Sequence, residues 1–219
     1  MGPHQIAWQC ASVLLTYPDE QQHADLPLVH RAAEALPTPL GTPLLRAVDL
    51  LSRRTLDRLQ ERYVETFDSR RRTNLFLTYF AHGDTRKRGV ALLRFKQTYL
   101  RSGFVLDESE LPDHLCVVLE YAATVDQDLG RALLLDHRAG LEMLRLGLAE
   151  EGSPWTGAVE AVCATLPPLR GDEREAIRKL AAEGPPAEEV GLTPYGTPQF
   201  DAALHERTVD LPMPTVRGA

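Results

Sequence analysis

Within five residues, Glu110–Leu111–Pro112–Asp113–His114 brings together two carboxylates and an imidazole. These side-chain types serve general acid–base catalysis, and they serve equally to receive a cationic or amide group. With Asp113 and His114 as acid and base, the chain reads as a helical hydrolase or nucleotide-dependent enzyme, which requires a third positioned group near the imidazole and an enclosed pocket. A second reading needs no catalysis. Pro112 suits the first turn of a helix, Ser109 its N-cap, and Glu110 and Asp113 the positive end of its dipole. Capping accounts for the acids but not for His114, which falls near Val118 on the same helix surface.

Upstream, residues 63–83 read YVETFDSRRRTNLFLTYFAHG and hold Tyr63, Phe67, Phe76, Tyr79 and Phe80 around Arg70, Arg71 and Arg72. Tyr63 and Phe67 are four residues apart on one helical face, and Leu75 and Tyr79 repeat that spacing on the next. Two facing edges of this kind would line an apolar groove for a bound amphipathic helix, which places its own apolar residues at the same steps. Ordinary bundle core is the competing reading. Their hydroxyls make Tyr63 and Tyr79 rim residues in preference to Phe67 and Phe76. The three arginines read as a solvated loop, as a site for an acidic segment of a partner, or as partners for the chain's own acidic ends.

Other chemistry is excluded motif by motif. The chain contains no GxSxG, P-loop, GxGxxG after a strand, or HExxH. Seven histidines lie apart, with only weak groupings such as Asp136 and His137 with Glu142, and neighbours on a helix diverge too far to chelate. Cys10, Cys116 and Cys163 are isolated in apolar helical patterns and read as reduced buried thiols. The net charge of −7 argues against nucleic-acid binding. It is unevenly distributed: residues 53–101 carry 13 of the 24 Lys and Arg and 5 of the 31 acids, so the middle is basic and the ends acidic. No run is long and apolar enough to span a membrane, and the first twenty residues lack a basic n-region, so a soluble protein that stays where it is made is expected.

The elements that must position these residues are helical. Leu134, Leu141, Leu144 and Leu148 share one face of a helix predicted to run from Leu129 to Glu150. Leu115, Val118, Leu119 and Ala122 do the same downstream of His114. Asp84 and Thr85 cap a helix that Gly103 closes, and further helices are predicted at 4–16, 19–35, 42–53, 55–66, 73–81, 155–166 and 172–183. The sixteen prolines are read as punctuation at segment ends or in the C-terminal region. GFVL at 103–106 is strand-like but has no partner run. The expectation is an all-α, single multi-helix bundle of roughly eight to ten helices over residues 1–183. A Pro- and Gly-rich, irregular and mobile C-terminal tail follows over 184–219.

The run from Tyr63 to Ala123 resembles the NarJ-type, or delta-subunit, nitrate reductase molybdenum cofactor assembly chaperones, of the redox-enzyme maturation chaperone group. The resemblance extends over 5–150 and does not reach the tail. Its motifs are Tyr63 and Phe67 in YVETFD, and Glu110 to His114 in ELPDHL, which matches the E-x-P-D-H element of the wider group. What it implies is a cytoplasmic, all-helical chaperone that is no enzyme. Such a protein binds the N-terminal segment of the nitrate reductase catalytic (alpha) subunit and promotes molybdenum cofactor insertion, with no cofactor or metal of its own. The peptide-binding residues would be Tyr63, Phe67, Leu75, Tyr79, Glu110, Pro112, Asp113 and His114. The implied partners include no nucleic acid and no stably inserted membrane, and the chain would be a monomer or weak homodimer. A permanent structural subunit is a third possibility, and it would expose a large apolar surface when isolated.

Overall fold

Apolar residues at helical spacing leave the chain one efficient way to hide them, which is to pack helix on helix. The computed structural model describes residues 1–183 apart from Arg71, Asp84, Glu108 and Ser109. The expected tail, the Ser109 and Asp84 caps and Arg71 lie outside the described residues. The described residues form an all-α bundle of eleven helices: α1 Pro3–Leu15, α2 Glu20–Glu34, α3 Thr38–Ser52, α4 Leu56–Tyr63, α5 Leu77–His82, α6 Arg86–Arg101, α7 Leu115–Thr124, α8 Gln127–Asp136, α9 Arg138–Glu150, α10 Thr156–Ala164 and α11 Gly171–Glu183. A π-helical turn, Val64–Asp68, extends α4. Among the described residues no strand forms; the only pairing of strand type is an isolated antiparallel bridge between Phe76 and His114.

Helix α7 is the apolar centre. Leu115, Val118, Leu119, Tyr121 and Ala122 are fully buried, with α1 packed along one side and α8 along another. Glycines set the closest approaches. A Cβ at Gly130 would lie 2.4 Å from the Ala122 Cβ, and one at Gly157 would lie 2.0 Å from the Pro43 carbonyl oxygen. These gaps hold α8 against α7 and α10 against α3. Trp8, fully buried on α1, donates its indole N–H to Thr165 Oγ1 at 2.9 Å just beyond α10.

Three expectations change. The helix predicted over 129–150 breaks at His137, which ends α8 and starts α9. On either side of the break, Gly130 brings α8 close to Ala122 and Gly140 brings α9 close to Phe80. Pro27 and Pro43 sit inside α2 and α3 rather than at segment ends, at the eighth and sixth helical positions, and each removes one backbone N–H from its helix. Finally, the predicted 73–81 helix begins at Leu77, so Leu75 precedes it. Gly103, at φ +71°, ends α6 as expected, and Thr85 is its N-cap.

Candidate functional site

The Glu110–His114 segment is not the first turn of a helix. It is a turn, with His114 as N-cap of α7 and its carbonyl accepting from Val118 N–H at 3.1 Å. Capping by acids of the following helix therefore does not explain the motif; the acid caps a different helix. Asp113 is fully buried and its Oδ2 accepts from the Thr78 hydroxyl at 2.5 Å and from the Thr78 N–H at 3.2 Å, in the first turn of α5. Arg88, on α6, reaches the same oxygen at 3.8 Å and donates Nε–H to Thr78 Oγ1 at 3.3 Å. One carboxylate thus joins α5, α6 and the entry to α7.

Backbone bonds clamp the turn from both sides. Leu77 N–H donates to Asp113 O at 3.1 Å and Leu115 N–H to Leu75 O at 2.8 Å, while Tyr99 OH donates to Pro112 O at 2.6 Å. On this scaffold the half-buried Phe76 and His114 rings meet edge to face, their centroids 5.3 Å apart, and the Arg88 guanidinium lies 5.3 Å over Phe76. Leu111 and Glu110 are exposed beside them. Burial lowers the His114 pKa below the ordinary value, with Asp113 and Asp68 opposing, so the imidazole is favoured in its neutral form. Asp113 points inward to Thr78 and Arg88, which removes it as an acid or base for a solvent-borne substrate.

The other predicted site residues lie deeper. Tyr63, Phe67, Leu75 and Tyr79 are all buried. Tyr63 and Phe67 pack on each other and on Trp155, and Tyr63 OH donates to Leu15 O at 2.9 Å. The hydroxyl thus finds its partner in the core, and the half-exposed ring is Phe76, the reverse of the expected rim order. Tyr79 packs on Phe80, and among the described residues no ring contact joins it to Tyr63 or Phe67. Sequence reading passed over Phe76, Thr78, Arg88 and Tyr99 as members of this site. Only the dense run of aromatics hinted at the first, since pairing across 35 residues leaves no local pattern.

Arg70 and Arg72 lie exposed outside any helix, as the first reading expects, and pair with Glu151 and Glu150 near the end of α9, as the third does. Glu142, suspected with His137 as a weak metal group, is instead held by Arg138 and Arg145, each at 2.7 Å. Among the described residues no cluster of His, Cys, Asp and Glu suited to a metal ion forms, and no helix is long and apolar enough to cross a membrane. All three cysteines are free.

Comparison with known proteins gives a consistent set of similarities. A family model described as the nitrate reductase delta subunit matches residues 33–161. The nitrate reductase-like protein NarX of Mycobacterium tuberculosis strain H37Rv is 43% identical over 160 residues, which span 73% of this chain but 24% of that protein. The chain therefore covers about a quarter of that relative's length. The probable nitrate reductase molybdenum cofactor assembly chaperone NarJ of Bacillus subtilis strain 168 is 34% identical over 167 residues, 74% of this chain and 89% of that one. In solved structures, a putative redox enzyme maturation protein from Archaeoglobus fulgidus shares the fold, with a TM-score of 0.57 at 24% identity, over 75% of this chain and 94% of that one.

Proposed function

The chain belongs to the nitrate reductase delta-subunit family, the NarJ-type assembly chaperones, and from that premise we propose that it serves a nitrate reductase catalytic (alpha) subunit. Its family is one of cofactor assembly chaperones, not of catalysts. In this reading it acts in the cytoplasm, captures the N-terminal segment of the alpha subunit, and holds it while the molybdenum cofactor is inserted. The observation that supports the reading is the similarity, over 89% of that protein's length, to a probable nitrate reductase molybdenum cofactor assembly chaperone.

The peptide would dock where Phe76, Leu111 and His114 reach the surface together, with Glu110 at the edge. Glu110 and His114 would touch the client. Tyr63, Phe67, Leu75, Tyr79, Pro112 and Asp113, being buried, would shape the surface from below. A half-buried imidazole in its neutral form can donate or accept a hydrogen bond to peptide backbone, and Phe76 and Leu111 supply apolar anchorage.

Titration calorimetry with a peptide of the alpha subunit's N-terminal segment tests this. Saturable binding weakened at least about tenfold by His114→Ala or Phe76→Ala is expected, since one anchor side chain carries that much. Absence of binding by the wild-type chain would exclude capture of that segment and turn attention to a folded region of the client.

A further inference from the structure

Helix α6 presents an outward face that the peptide site does not use. Its inner side is ordinary core: Ala91, Phe95 and Tyr99 are buried, and Phe95 stacks on His137. On the opposite side, Val90, Leu93 and Leu100 are 57%, 58% and 63% exposed. With Gln97 they fall within an arc of roughly 80° at 100° per residue, so they form one stripe. Lys87, Arg94 and Arg101 line one edge of that stripe and Lys96 the other, and the sequence of α6 contains no acid.

Nine arginines elsewhere are neutralised within the chain, whereas these cations, like Arg31, Arg54, Arg131, Arg174 and Lys179, form no ion pair among the described residues. Arg46, Arg53, Arg58, Arg62, Arg70, Arg72, Arg138, Arg145 and Arg178 each pair with a Glu or Asp of this chain. Among the described residues Lys87, Arg94, Lys96 and Arg101 form no such pair, although the whole chain carries an excess of acids. Four unneutralised cations around an exposed aliphatic stripe are complementary in charge and in pattern to one kind of partner. We propose that the outward face of α6 docks an acidic amphipathic protein helix, one with apolar residues at i, i+3 and i+7 flanked by Asp or Glu.

An anionic lipid surface fits less well. Helices that lie in a membrane interface bury a broad apolar face bearing Trp or Phe, whereas the aromatic side of α6 is engaged in the core and cannot turn outward. Nucleic acid is disfavoured because the stripe has no aromatic residue for stacking and the chain's net charge is −7. This inference stands apart from capture of the N-terminal client peptide.

The test uses the full chain and a fluorescent synthetic helix with Leu at i, i+3 and i+7 and Glu between, followed by anisotropy. Its control is the same peptide with Lys for Glu, and phosphatidylserine vesicles form a third arm. The expected result is saturable binding of the acidic helix only. Affinity should fall at least about tenfold in the Lys87→Glu/Arg94→Glu/Lys96→Glu variant and in Leu93→Ser, and should weaken as salt rises. Because all four positions are exposed, both variants should melt like the wild type by circular dichroism. Failure of the acidic helix to bind, equal binding by the variants, or binding to vesicles in its place would each overturn the proposal.

Discussion

The Asp113 carboxylate and Thr78 are 35 residues apart in sequence, yet the hydroxyl and the backbone N–H of Thr78 both donate to one oxygen of Asp113, at 2.5 Å and 3.2 Å. Asp113 thereby supplies to α5 the cap that its own N-cap residue, Phe76, has no side-chain acceptor to give. The acid in the most informative motif of the chain is a structural tie between α5, α6 and the entry to α7.

Removal of that tie should be costly. Asp113→Ala should lower stability by about 3–5 kcal/mol, because it strips a buried, hydrogen-bonded carboxylate from beside Arg88. Thr78→Val should cost about 1–3 kcal/mol through the lost hydroxyl bond. Urea denaturation of both single variants and the double variant should give a coupling of the same sign. A fully stable Asp113→Ala protein would show the tie to be idle.

Tyr63→Phe should cost about 1–2 kcal/mol, since it leaves the buried Leu15 carbonyl without its partner, and Tyr63→Ala about 3–5 kcal/mol by opening a cavity against Phe67 and Trp155. Client affinity measured on the folded fraction should change little with Tyr63→Phe. A large loss of affinity without loss of stability would instead assign Tyr63 to the binding surface.

Two glycines should respond in opposite directions. Gly157→Ala drives a methyl group into the Pro43 carbonyl and should destabilise by about 2–3 kcal/mol, because backbone cannot step aside as a side chain can. Gly89→Ala, in an exposed turn of α6 with nothing within 4 Å, should stabilise by about 0.5–1 kcal/mol. Melting temperatures of the two variants on either side of the wild type would check both.

Stability should decline as pH falls below the ordinary histidine value of 6.5. Burial lowers the pKa of His114, against Asp113 and Asp68, and of His137, against Asp136 and Asp113. The unfolded chain then binds protons that the folded chain refuses, between the two pKa values, and stability rises with pH through that window. His114→Phe with His137→Phe should flatten the slope in denaturation series across this range. An unchanged slope would locate the acid sensitivity elsewhere.

The thiols should be inert in the folded chain. Burial pushes Cys10 up to about 11 and Cys116 to about 12, and raises Cys163 as well, so none holds a thiolate at neutral pH. Ellman's reagent should titrate three thiols in denaturant and almost none in buffer.

Much of the scaffold could be read from sequence because helices are local. The period of Leu115, Val118, Leu119 and Ala122, the cap at Thr85 and the stop at Gly103 are all decided within one or two turns of chain. YVETFD and ELPDHL carry the family's pattern in sequence, but the geometry of the candidate site could not be read from them. Leu75 and Tyr79 were spaced for a shared helix face, yet pairing of Leu75 with Leu115 keeps the first of them outside α5.

By itself, then, the sequence determined that the chain is helical, where most helices start and stop, and which family it joins, because those properties reside in short-range pattern and motif. Tertiary structure alone decided the break at His137, the inward burial of Tyr63 and Phe67, and the use of Asp113 as a cap for a helix 35 residues away. Each of these depends on which distant surface arrives at a given residue, and close packing settles that only when the whole bundle is assembled.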